Sequence, residues 1–253
     1  MGNAPKISDA RLAPLFAAEA ERFTLAHPRA AALAARAGGS LLGGVPMSWM
    51  QRWASPVPPY AVSARGAQIT DADGQVYLDF ALGDTAAMAG HAPAALVRAM
   101  AAQLENGATT MLPSGAAIDV AEELTRRFGL PLWQLCLTAT DANRFVLRIA
   151  RAITKRPKVL VHNWCYHGTV DETFAIARPG SAAGAAQARP GNTGPQVDPA
   201  TTTRVVEIND LAATEAALAA GDVAAILIEP ALTNIGIVLP ETGYHAALRK
   251  LAT

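Results

Sequence analysis

From about residue 92 onward, apolar positions along the chain recur at two spacings. Segments 92–106, 114–128, 140–153, 210–219 and 241–252 repeat apolar side chains every three or four residues, the spacing of a helix that buries one face. Between them lie 133–138, 158–163, 203–206 and 223–228, short runs that are apolar at nearly every position. The run Val223-Ala224-Ala225-Ile226-Leu227-Ile228 is the plainest of these, and such runs suit strands covered on both faces. Helix and strand patterns in alternation predict an α/β fold, a mostly parallel sheet flanked by helices.

The first 90 residues read differently. A helix is expected after Ser8, disturbed at Pro14, and a second short one over 29–37, stopped by Gly38-Gly39. Residues 41–59 hold four prolines and two tryptophans, and loops with such large side chains often line sites. Residues 60–80 alternate and turn at Asp73-Gly74, a hairpin signal. This divides the chain into an N-terminal helix, loop and hairpin segment (1–85) and a larger α/β part (86–253). Residues 178–202, rich in Gly, Pro and Ala, read as a mobile lid or as disorder.

Composition removes several classes of function. Hydrophobic residues make up 51% and charged residues 17%, against disorder. Net charge is +0 with Lys and Arg scattered, which argues against a nucleic-acid partner. No run approaches the roughly 18 apolar residues of a membrane span, and Glu19, Glu21 and Arg22 break the first apolar stretch, so no leader is expected. With two cysteines, Cys136 and Cys165, no disulfide framework is expected, and a cytoplasmic setting is the default.

In parallel sheets ligands sit where strands end, so three strand exits carry the candidate chemistry. The first is Thr138-Ala139-Thr140-Asp141-Ala142-Asn143. Thr138 and Asp141 have capping-box spacing, and the same hydroxyls and helix N–H groups could cradle an anion. The second runs from His162 to Glu172 with two His, a Cys and a Tyr. His162, Cys165 and His167 lack a usual zinc spacing and a fourth ligand, so no metal is expected there. The third places Glu229 before Pro230, then Asn234-Ile235-Gly236.

Taken in order, these exits resemble the class III aminotransferases, and the glutamate-1-semialdehyde aminomutase branch in particular. Gly43-Gly44-Val45 resembles that family's early loop. Gly66 to Asp79 is similar to its Gly-x-x-x-x-Asp-x-Asp-Gly-x-x-Tyr-x-Asp hairpin. Tyr166-His167-Gly168 matches directly, and Glu229-Pro230 through Asn234-x-Gly236 follows the family's segment. The resemblance implies fold type I, the fold of transferases dependent on pyridoxal 5′-phosphate, and a homodimer. It also implies Thr138, Ala139 and Thr140 at the cofactor phosphate, Tyr166 stacked on the pyridine ring with His167 shaping its turn, Asn234 near the ring hydroxyl and Glu229 beneath the cofactor. The chemistry implied is transfer of an amino group on a small amino or keto compound. The alternatives are an aminomutase, which shifts the amino group within one substrate, and an inactive remnant.

Departures from the family bear on substrate and activity. Ala139 stands for a glycine, so a negative φ is needed there. Met50 stands where the aminomutases carry Arg, and Asp84 where they carry an aromatic. Ser48, Trp49, Arg52 and Asp84 are candidates for the substrate pocket. The family's Schiff-base lysine and the Asp at the pyridine nitrogen are expected beyond Thr253, as if the fold were cut short. None of Lys6, Lys155, Lys158 and Lys250 suits the lysine's place. Exposed apolar helix faces and an open sheet edge are therefore expected, with a chain that is poorly soluble or oligomerises.

Overall fold

The computed structural model describes residues 8–192 and 197–253. They fall into two compact units, divided between Pro113 and Ser114.

In the first unit, helices α1 (Asp9–Ala26) and α2 (Pro28–Ala37) precede two 3-10 turns, Leu42–Gly44 and Ser48–Arg52. A three-stranded antiparallel sheet follows, β1 (Ala61–Arg65), β2 (Gln68–Asp71) and β3 (Val76–Leu78), and then helix α3 (Ala94–Glu105). The expected turn at Asp73-Gly74 joins β2 to β3. Its polar residues hold the unit together. The carboxylate of Asp73 accepts from the Arg29 and Ala30 amides at 2.7 and 2.9 Å, capping α2 from a distance in sequence. Buried Asp71 accepts from the Asp73 and Gln75 amides and from the Tyr77 hydroxyl, with His27 3.4 Å away. Burial alone would raise the Asp71 carboxyl, but those donors hold it below its usual value. Burial and the Asp71 carboxylate push Tyr77 up to about 12. Asp79 pairs with His91 at 2.6 Å. The hairpin's acids and tyrosine thus serve structure.

The second unit contains α4 (Gly115–Phe128), α5 (Ala139–Thr154), β4 (Lys158–His162), β5 (Ala175–Ala177), β6 (Ala186–Ala188), β7 (Thr203–Val206), α6 (Leu211–Leu218), β8 (Val223–Leu227) and α7 (Tyr244–Leu251). Strands β7, β4 and β8 form a parallel sheet in that order. Alternation along β4 shows why its run is apolar throughout. Val159 and Val161 join Leu147 of α5, Cys165, Val170, Val205 and Leu232 on one face. Leu160 joins Val206, Ala217 of α6 and Val223 on the other.

Two expectations are corrected. Residues 133–138 form no strand, although their pattern predicts one. An isolated extended segment leaves its N–H and C=O groups unpaired, and none of the described strands pairs with this one. Leu135 and Leu137 within it stand 51% and 99% exposed. The stretch 178–202 is ordered over its described part. β6 pairs antiparallel with β5, buried Ala186 anchors it in the core, and Pro199–Thr201 form a 3-10 turn. The lid or disorder expected at 193–196 lies outside the described residues.

Candidate functional site

The start of α5 is built by its own sequence. Thr138, in extended conformation, is the N-cap, and its Oγ1 accepts from the Asp141 amide at 3.1 Å. The Asp141 carboxylate accepts from the Thr138 hydroxyl at 2.9 Å instead of reaching the Thr138 amide, because Asp is a methylene shorter than the usual Glu. Ala139 is absent from the positive-φ residues, so the alanine fits the glycine's place without backbone strain. Among the described residues the Ala139 and Thr140 amides have no hydrogen-bond partner. They remain available, with the positive end of the helix dipole, for an anion.

The exit of β4 folds back onto this helix end. The Thr169 amide donates to Thr140 Oγ1 at 3.1 Å, Asn143 Nδ2 donates to the His167 carbonyl at 3.1 Å, and Arg144 donates to the Thr169 carbonyl at 3.1 Å. Gly168 sits at φ 74°, and a Cβ there would stand 2.1 Å from Thr140 Oγ1. The turn needs glycine twice, for its backbone angle and for the approach of the hydroxyl. Accepting from Thr169 leaves the Thr140 proton free to donate elsewhere.

The exit of β8 reaches the same turn. Glu229 accepts from the Tyr166 amide through one carboxylate oxygen at 3.0 Å, and from the Thr233 amide and hydroxyl through the other. Asn234 Nδ2 donates to the Trp164 carbonyl at 3.4 Å. The Tyr166 side chain is 51% exposed, whereas His167 is 6% exposed and its Nε2 is buried without a partner. Burial lowers the His167 pKa, against the opposing pull of Glu229 and the Leu227 carbonyl. His162 is fully buried and shares a 2.8 Å hydrogen bond with Tyr244 Oη. Burial, with the charges of His167 and His245, brings it down to about 4. Burial pushes the Cys165 thiol up to about 12, which keeps it from acting as a nucleophile at neutral pH.

The second unit thus gathers Thr138, Ala139, Thr140, Tyr166, His167, Glu229 and Asn234 where the exits of β4 and β8 meet the N-terminus of α5. Asn143, Trp164 and Arg189, to which sequence reasoning gave no role, join them. Trp164 adopts φ 61°, uncommon for a bulky side chain, and Arg189 lies over its ring at 5.1 Å. Arg189 also donates to the Cys165 carbonyl at 3.1 Å. Only Asn143 offered a signal, one helical turn beyond Thr140. Of the pocket candidates, Ser48, Trp49 and Arg52 lie on one 3-10 turn of the first unit, where Trp49 leans toward Trp53. Asp84 sits in a turn of the same unit at φ 56°. Among the described residues no group of three or more His, Cys, Asp or Glu side chains could hold a metal ion. None of the described helices is long and apolar enough to cross a membrane.

Comparison with known proteins gives consistent results. The family model for class-III aminotransferases matches residues 49–253. Glutamate-1-semialdehyde 2,1-aminomutase 1 of Cenarchaeum symbiosum is 34% identical over 206 residues, 80% of this chain and 47% of its own length. A glutamate-1-semialdehyde aminomutase from Pseudomonas aeruginosa, known from its crystal structure, superposes with a TM-score of 0.90 at 50% identity, over 97% of this chain and 53% of that one. An omega-transaminase from Sphaerobacter thermophilus superposes at 0.77 with 34% identity, over 88% of this chain and 52% of that one. The chain spans about half the length of the curated relatives it matches.

Proposed function

This chain belongs to the class III aminotransferases, a family dependent on pyridoxal 5′-phosphate, and on that premise we propose that its second unit seats this cofactor for amino-group transfer on a small amino or keto compound. The observation that carries the reading is the α5 N-terminus. Two unpartnered amides, a hydroxyl with its proton free and the helix dipole converge there, a donor set suited to a phosphate. Tyr166, its amide held by Glu229, would stack on the ring, and Asn234 would meet the ring hydroxyl. The cofactor supplies an electron sink at the carbon bearing the amino group. The protein's own part is to hold the phosphate, clamp the ring and leave one face open.

Two of the lysines stand away from this seat. Lys155 is the C-cap of α5, at the helix end opposite Thr138, and Lys158, at the start of β4, pairs with Asp222 at 3.3 Å. Lys250 lies on α7, and Lys6 is outside the described residues. A second copy of the chain is the proposed partner, on family resemblance. A second reading, an intramolecular shift of the amino group, is favoured by the aminomutase names of the relatives. An added keto-acid acceptor separates the two, since a mutase needs none.

Fluorescence titration tests the cofactor seat. Pyridoxal 5′-phosphate is expected to bind more tightly than pyridoxal, and Thr140→Ala to weaken the phosphate ester by about 1–2 kcal/mol, the scale of one hydrogen bond to a charged group. Equal affinity in the variant removes Thr140 from the site.

A further inference from the structure

Gly168 divides the β4 exit into two parts with different anchors. After it, Thr169 is held to α5 twice, through Thr140 and Arg144. Before it, Tyr166 is held to the β8 exit by Glu229, and Trp164 by Asn234. Among the described residues one hydrogen bond ties this earlier part to α5, from Asn143 Nδ2 to the His167 carbonyl, next in the chain to Tyr166. Glycine at φ 74° lends the joint little stiffness of its own.

We propose that Asn143 is a positioning residue that couples the ring-stacking turn to the phosphate-seating helix. It sets where Tyr166 lies relative to the Ala139 and Thr140 amides, so that a ligand carrying both a phosphate and an aromatic ring meets both halves at once. Preorganisation of this kind adds affinity for the two-part ligand and none for either part alone. The role rests on the reading that α5 and Tyr166 share pyridoxal 5′-phosphate. Asn143 itself touches neither phosphate nor ring in that reading, and acts through the His167 carbonyl.

The test compares inorganic phosphate with pyridoxal 5′-phosphate on the full chain, each titrated against wild type, Asn143→Ala and Asn143→Asp. The Asp variant keeps the shape and sets a carboxylate against the carbonyl. Both variants are expected to lose about tenfold in affinity for pyridoxal 5′-phosphate, the effect of one hydrogen bond, and to hold inorganic phosphate within about twofold of wild type. Quenching of protein fluorescence by the bound ring should weaken in parallel. A purely structural role would lower both affinities together, and that result overturns the proposal. So does an unchanged ratio of the two affinities, or failure of both variants to fold. A wild-type chain that binds pyridoxal 5′-phosphate no better than phosphate refutes the cofactor reading itself, and with it this role.

Discussion

Replacing Gly168 with alanine tests whether Thr140 stands where the structure places it. Two costs add. A non-glycine residue in the left-handed region costs about 1–2 kcal/mol. The new Cβ would also fall 2.1 Å from Thr140 Oγ1 and 3.1 Å from its Cβ, so Thr140 must turn away. Its bond to the Thr169 amide is then lost, which costs about 1–3 kcal/mol if that amide finds no other partner. The sum is about 2–5 kcal/mol, or a melting temperature lower by roughly 5–15 °C in a chain of this size. Gly221→Ala supplies the control, because Gly221 has φ 65° and an added Cβ there would meet nothing within 4 Å. It carries the backbone cost alone. Calorimetry or chemical denaturation of the two variants side by side should show Gly168→Ala worse by the second cost. If the two lose the same stability, Thr140 does not touch this turn and the proposed phosphate seat loses its support.

Other expectations follow from the same geometry. Acid should destabilise the second unit through His162, whose folded value of about 4 lies below the ordinary histidine value of 6.5. The unfolded chain binds the extra proton, so stability is full above pH 6.5 and falls by about 3 kcal/mol as pH drops toward 4. A His162→Gln variant should flatten that decline in a denaturation series, and an unchanged pH profile refutes the assignment. Asp73→Ala should cost about 1–3 kcal/mol by leaving the Arg29 and Ala30 amides at the α2 N-terminus without their acceptor; a denaturation midpoint equal to wild type would contradict it. In the native chain a thiol reagent should modify Cys136 and spare buried Cys165, and equal labelling would contradict the packing of the β4 exit. The exposed apolar residues Phe145, Val146, Ile149 and Ile153 of α5, together with Leu135 and Leu137, predict concentration-dependent association by light scattering. A monodisperse monomer at high concentration counts against it.

Much of the local geometry at the candidate site was legible because local signals carry it. Thr138 caps α5 through its own hydroxyl three residues on, and such a contact depends on spacing alone. The helices at 114–128 and 140–153 stand within a residue of their apolar patterns, since a helix closes its hydrogen bonds within the segment. Residues 133–138 show the opposite case. Their pattern suits a strand, but a strand requires a neighbour, and pattern cannot supply one. β6 shows the reverse error, a Gly- and Ala-rich stretch recruited into pairing by β5. Trp164 gave no hint that it would adopt a left-handed angle beneath Arg189, because the two meet across 25 residues of chain.

What the sequence determined by itself is therefore the helices, the parallel strands β4, β7 and β8, the caps and turns that punctuate them, and the family to which the chain belongs. Tertiary structure alone decided which of the strand exits meet. It brought Glu229 under the Tyr166 amide and Asn143 to the His167 carbonyl, and it turned the acids of the first hairpin into structural anchors. The physical reason is range. Helical periodicity and capping act over three or four residues, whereas these hydrogen bonds at the strand exits join groups 24 to 63 residues apart, which come together only when the sheet forms between α5 and α6.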